Sequence, residues 1–299
     1  MSDDIATGNE RIASAIDRAR KHGKPIIFIE HLRNFGDSMH STIVIRHYRR
    51  AMPDAYIIFG VSERYAREYD TIKGHMQGPH DVIGLPHGPD YPHDGPIRIA
   101  WTKYAATLPG VTKVVTPSVH PYGWKYGTIA DAILYNAGIT HLLAPRRPFL
   151  PVDISDYAWA DQFMSQHGLI VPYVTMEYTS YSLNVHSIDW YANLVRFIKC
   201  PVVAISGPND KFVPGTIHCK HATYRQAKVL IMRSRCFIGC ASGNGLLAVS
   251  EECETPMVDI VDNNLSFREL KYITTNRVYI NTGFDRTPEY VASIVNTFV

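Results

Sequence analysis

Short apolar runs alternate along the chain with stretches of helical spacing. Residues 5–22 place Ile5, Ile12, Ala15, Ile16 and Ala19 on one helix face, and Gly23 ends that helix. The run Pro25-Ile26-Ile27-Phe28-Ile29 reads as a buried parallel strand. A loop with Asn34, Gly36 and Asp37 follows, then a helix to Ala51 that Met52-Pro53-Asp54 stops. Ala55-Tyr56-Ile57-Ile58-Phe59 is the next strand and completes a β-α-β unit.

Residues 71–97 break the rhythm with Pro79, Pro86, Pro89, Pro92 and Pro96, and with His75, His80, His87 and His93. They predict a loop interrupted by one short strand at residues 82–85. A strand at 113–116 and a helix over 128–136, closed by Gly138, come next. Residues 144–151, Ala-Pro-Arg-Arg-Pro-Phe-Leu-Pro, read as a linker, so the boundary falls between 1–150 and 151–299. The second half predicts helices over 156–167, 188–198, 224–232 and 246–253. It predicts strands at 173–176, 201–205, 236–239, 257–260 and 277–280. Thr287-Pro288-Glu289 starts a last helix, a candidate to pack back on the first domain. The alternation predicts two Rossmann-like, parallel-sheet α/β domains.

Composition narrows the class. Of 299 residues, 45% are hydrophobic and 19% charged, which is the balance of a soluble globular protein. The apolar runs are too short for a membrane span. The start, Met1-Ser2-Asp3-Asp4, is polar and acidic, which predicts no secretory signal and a cytoplasmic protein. The oligomeric state is not legible. The net charge of +2 demands no polyanionic partner. Residues 1–150, however, carry 18 Lys and Arg against 14 Asp and Glu, and the remainder 12 against 14. The excess, with Arg11, Arg18, Arg20, Arg46, Arg49 and Arg50 among it, is either two solvated helix faces or a surface for an anionic acceptor.

The five cysteines (Cys200, Cys219, Cys236, Cys240, Cys253) are odd in number and form no C-x-x-C pair, so they read as reduced core thiols. Neither Cys219 beside His218 and His221 nor the loop histidines show a compact metal-ligand spacing, and no metal is expected.

Asp37 is the candidate of most interest. A glycine at a strand-to-helix turn lets the backbone bend and approach a ligand, and an aspartate just after it lies where open α/β sheets bind ligands. Asp37 is therefore either a helix cap or a catalytic carboxylate.

Gly36-Asp37-Ser38-Met39-His40-Ser41, with Arg49-Arg50-Ala51-Met52-Pro53-Asp54-Ala55, resembles the first segment of the lipopolysaccharide heptosyltransferase family. Val202-Val203-Ala204-Ile205-Ser206-Gly207 resembles that family's second-domain strand and glycine loop. The segment from Ile238 through Gly239-Cys240-Ala241-Ser242-Gly243-Asn244-Gly245 to Ala248, followed by Glu254-Thr255-Pro256-Met257-Val258, resembles its donor-binding segment. The resemblance implies a GT-B fold, in which the two domains face a central cleft. It also implies an inverting transfer of sugar from a nucleotide-sugar to an acceptor hydroxyl, with no metal or other cofactor.

On that resemblance Asp37 is the general base. Thr179, Ser180, Gly207, Lys211, Ser242, Gly243, Asn244 and Gly245 are donor-binding, with Arg233 or Arg235 as further cations. Gly36, His40 and Trp124 are acceptor-side, with a packed surface histidine as the equal reading of His40. The chain departs from the family at Ala241-Ser242-Gly243, where Asp-Thr-Gly is usual, and at Leu246, where a histidine is. It departs again at Leu183-Asn184-Val185-His186, where a lysine is expected. The donor sugar and nucleotide therefore stay open. The acceptor is a glycan or, as the lesser reading, a hydroxymethylated base in DNA. The alternatives are an inactive GT-B-like binding protein and a nucleotide-sugar epimerase. A dinucleotide oxidoreductase lacks its G-x-G-x-x-G.

Other residues keep two readings each. Glu177 is a ribose contact or, on the safer reading, a solvated loop glutamate. Tyr122, Trp124 and Tyr126 are a stacking wall or packing, and Tyr178 and Tyr181 stack on a donor base or pack.

Overall fold

The apolar runs of the first half become a parallel sheet because both faces of each strand are covered by helices. The computed structural model describes residues 2–32, 34–86, 96–117, 128–169, 172–180, 185–207, 209–240, 242–261 and 278–299. The chain divides into two units, Met1–Leu150 and Pro151–Val299.

The first unit contains α1 (Ser2–Arg20), β1 (Ile26–His31), α2 (Phe35–Ala51), β2 (Tyr56–Ser62), a 3-10 helix (Ala66–Ile72) and β3 (Asp81–Leu85). α3 (Pro96–Thr107), β4 (Val111–Val115) and α4 (Ile129–Asn136) complete it. Its strands lie in the order β3-β2-β1-β4, all parallel. On one face Ile12, Ile16 and Ala19 of α1 and Ile97, Trp101 and Ala105 of α3 pack on Ile26, Phe28 and Ile58. The two helices approach so closely at Gly8 that a Cβ there would lie 2.2 Å from the Trp101 indole. The indole N–H donates to the Ile5 carbonyl at 3.2 Å. On the other side α2 packs against β1, β2 and α4.

The second unit contains α5 (Ile154–Gln166), β5 (Val174–Glu177), α6 (Ile188–Phe197), β6 (Val202–Ile205), β7 (Ile217–Cys219) and α7 (Tyr224–Arg233). β8 (Phe237–Gly239), α8 (Gly243–Ala248), β9 (Met257–Asp259), β10 (Tyr279–Asn281) and α9 (Pro288–Val295) follow. The parallel sheet runs β10-β9-β8-β5-β6-β7. Numbered within the unit, this is the order 3-2-1-4-5-6 of the Rossmann fold, and the first sheet carries its 3-2-1-4 portion. Val291, Ala292 and Val295 of α9 sit in the core that α6, β5, β8 and β9 build, so the last helix spends its apolar face within the second unit.

Five elements differ from expectation: the 3-10 helix is unforeseen, and α2 starts at Phe35, so Gly36 and Asp37, expected in the loop, lie in its first turn. α3 forms directly after the proline-bearing stretch, where sequence spacing signals only loop. β7 is three residues long and carries no alternation to detect. α8 begins at Gly243, with Ser242 in the N-cap position, rather than at Leu246. Asn244, Gly245, Leu246, Leu247 and Ala248 are all buried, so packing holds a helix across two glycines that disfavour one.

Candidate functional site

In an open parallel sheet the strand order reverses between two neighbouring strands, and their carboxyl ends leave a crevice that binds ligands. The reversal lies between β1 and β4 in the first sheet and between β5 and β8 in the second.

In the first unit, α2 leaves the carboxyl end of β1 and carries Asp37 in its first turn. The N-cap residue is Asn34, and its side chain makes no capping bond, so Asp37 is not the cap. Gly36 and Asp37 are both half-buried. The helix is anchored on its inward side by hydroxyls. Ser38 Oγ meets Tyr69 Oη at 2.5 Å, Ser41 Oγ bonds His31 Nδ1, and Thr42 Oγ1 accepts from the Phe149 N–H at 2.8 Å. Behind β1, the buried Glu30 carboxylate pairs with Arg98 at 2.8 Å. His40, expected on the acceptor side, is only 2% exposed. Burial, and secondarily the Arg146 cation, push its pKa down to about 3, so it is a neutral core imidazole at physiological pH. Trp124, Tyr122 and Tyr126 lie outside the described residues, as does Tyr181.

The arginine excess is largely committed. Arg11 pairs with Glu63 at 2.8 Å, and Arg18 pairs with Asp81 at 2.6 Å. Arg46 is buried over the Phe149 ring, and Arg50 donates to the Leu143 carbonyl at 2.6 Å.

In the second unit, Glu177 is the last residue of β5 and Ser242 and Asn244 follow β8. Glu177 is not a solvated loop glutamate: it is 6% exposed. Ser242 Oγ donates to Glu177 Oε2, and Asn244 Nδ2 donates to Glu177 Oε1 at 2.9 Å. Because its hydroxyl is turned to Glu177, Ser242 makes no side-chain capping bond to α8. Asn244 Oδ1 is buried with no hydrogen-bond partner. Burial raises the Glu177 pKa to about 8; the Asn244 bond opposes the rise, and the Asp259 and Asp210 charges add to it.

The neighbouring loop ends are tied in. Asp210 Oδ2 accepts from the Gly207 N–H at 2.5 Å and from Thr179 Oγ1 at 3.1 Å. Cys240 Sγ donates to the Thr179 carbonyl at 3.6 Å, and Tyr178 Oη donates to the Lys211 carbonyl at 2.7 Å. Thr179, Gly207, Ser242 and Asn244 are thus brought together at the carboxyl ends of β5, β6 and β8, with Gly243 half-buried and Gly245 buried in α8 and Ser180 half-buried after Thr179. The Lys211 side chain is exposed.

Arg233 and Arg235 belong elsewhere. Arg233 donates to Asp161 of α5 at 2.5 Å and stacks on Tyr157. The Arg235 N–H bonds the Tyr173 carbonyl, so both arginines lie toward the amino ends of β5 and β8. The α7-to-β8 turn sits at the opposite edge from the glycine segment, which removes them as donor cations.

The five cysteines are free. Among the described residues, no group of three or more His, Cys, Asp or Glu is placed to hold a metal ion, and no helix is long and apolar enough to cross a membrane.

A Veillonella parvula structure described as glycosyl transferase family 9 superposes with TM-score 0.66 at 13% identity, covering 92% of this chain and 97% of that one. Escherichia coli ADP-heptose lps heptosyltransferase II gives TM-score 0.65 at 16% identity, covering 91% and 98%. The fold is that of the GT-B glycosyltransferases. An E. coli heptosyltransferase, WaaC, solved with ADP, shares the GT-B fold at TM-score 0.51 and 10% identity, covering 92% of this chain and 100% of that one. No protein-family model and no curated protein sequence matches the chain. Within this GT-B chain, Glu177 is the residue that sequence reasoning undervalued. The available signal was its position one residue past an apolar strand, upstream of Thr179-Ser180.

Proposed function

We propose that the protein is an inverting glycosyltransferase. It moves a sugar from a nucleotide-diphosphate donor to a hydroxyl of a glycan acceptor, with Asp37 as general base and no required metal. The observation that carries this reading is Asp37 itself, half-buried in the first turn of the helix that leaves β1 at the strand-order reversal of a GT-B chain. The names of two neighbours, an ADP-heptose enzyme and a heptosyltransferase solved with ADP, support a nucleotide-diphosphate sugar as the donor class.

The chemistry is balanced by three movements. The acceptor oxygen forms a bond to the anomeric carbon, the bond from that carbon to the diphosphate oxygen breaks, and the acceptor proton passes to the Asp37 carboxylate. Developing positive charge on the sugar ring is favoured by a nearby anion. The donor segment is Ser242–Gly245, with Thr179, Ser180 and Gly207 beside it.

The test is nucleoside diphosphate release from ADP-, GDP- and UDP-sugars, with and without glycan acceptors. Asp37→Asn should lose release and keep nucleotide affinity by calorimetry. A variant that keeps most of its turnover overturns the assignment. One observation favours a second reading, a binding protein without turnover: the Ser242 hydroxyl and one amide N–H of Asn244 are already committed to Glu177. Nucleotide binding by the wild type without product from any donor would select it.

A further inference from the structure

Glu177 has no part in the transfer just described, yet it is a buried acid at the donor edge and holds two donor-segment side chains. Its bonds to Ser242 and Asn244 cross the strand-order reversal, from the end of β5 to the segment after β8. The ionisable groups around it make a further negative charge costly. Asp259 at the end of β9 and Asp210 after β6 both act on it, and the buried Cys240 thiol after β8 and the Tyr191 phenol of α6 feel its charge in turn. Asp259 is itself held by the Tyr279 hydroxyl at 2.5 Å.

We propose that Glu177 is a positioning residue for the donor, holding Ser242 and Asn244 in place as a neutral carboxylic acid and releasing donor affinity when it ionises. This rests on the reading of Ser242–Gly245 as the donor segment. Both contacts survive protonation: Oε1 still accepts from the Asn244 amide, and the Oε2–H donates to Ser242 Oγ in place of the bond that Ser242 gives the carboxylate. It also adds no charge where a diphosphate must lie beside Asp210 and Asp259. The ionised form would place a third anion at that edge, and a dianionic ligand would be repelled. The unpartnered Oδ1 of Asn244 is then the polar atom left for a ligand group.

The experiment is calorimetry of ADP and UDP with the full chain at pH 6.5, 7.5, 8.5 and 9.5, paired with thermal melting of the nucleotide-free protein over the same range. If only the protonated form binds, wild-type affinity falls about tenfold for each pH unit above about 8, as the competent fraction falls. Glu177→Gln keeps a neutral amide and flattens that profile. Glu177→Ala removes both bonds and weakens binding at every pH, and Gln recovers part of the loss. Melting of the wild type should drop, relative to Glu177→Gln, as pH rises toward 8. Parallel binding profiles for wild type and Gln, or parallel melting profiles, overturn the role of Glu177 while leaving the donor reading intact. Failure of the wild type to bind either nucleotide at any pH overturns the donor reading and this role with it.

Discussion

Replacing Asp37 by Asn separates the two explanations of that side chain because they predict effects of different size. The substitution is nearly isosteric and removes one negative charge from the first turn of α2. As a charge near a helix N-terminus, Asp37 contributes about 0.3–1 kcal/mol to stability, screened by salt. The helix has independent anchors in the Ser38–Tyr69, Ser41–His31 and Thr42–Phe149 bonds, so the fold should survive. As a general base, the same carboxylate accounts for about 10²–10⁴ in rate, or about 3–5 kcal/mol of activation free energy. The rate effect is therefore several times larger than the stability effect. Steady-state nucleoside diphosphate release, set beside urea unfolding of the same preparations, reads both. A turnover within about threefold of wild type, with a stability loss of about 1 kcal/mol, would refute catalysis and leave only the dipole.

The Glu177 pKa rises on folding from 4.5 to about 8, so the native chain binds more protons than the unfolded chain between those values and stability falls as pH rises through them. The loss between pH 5 and pH 9 is on the order of 4 kcal/mol, read as the change in wild-type minus Glu177→Gln unfolding free energy. Gly8→Ala drives a methyl into the Trp101 indole and should cost about 1–3 kcal/mol by denaturant unfolding. Arg98→Met strips the buried Glu30 carboxylate of its guanidinium and should cost about 3–5 kcal/mol, with Glu30→Leu added to it recovering most of the loss. Chelation with EDTA should leave sugar transfer unchanged, and a loss restored by a divalent ion would contradict the metal-free proposal.

Local pattern was enough for the elements whose signal is continuous. Pro25 through Ile29 is apolar without a break and marks β1, whereas Gly36 and Asp37, which read as loop, lie inside the first turn of α2. Patterning failed where the deciding contact lies far along the chain. Glu177 looks solvated because its neighbours Tyr178 and Thr179 resemble a loop; its burial comes from Ser242 and Asn244, more than sixty residues away. The start of α8 is hidden for a related reason, since two glycines argue against a helix and only the packing of Leu246 and Leu247 overrides them. His40 shares helical spacing with Asp37, yet spacing alone does not say which side of the helix meets the core. The order of the six strands in the second sheet, which sets where a ligand crevice opens, leaves no trace in any single segment.

The serine and threonine hydroxyls beneath α2 divide its labour. Directional bonds from Ser38, Ser41 and Thr42 set the helix's rotation about its axis more tightly than interchangeable methyl groups would. Gly36 and Asp37 lie outside that hydroxyl set. The half-buried flank that carries Gly36 and Asp37 can therefore be varied by substitution while the mooring underneath keeps the helix in register.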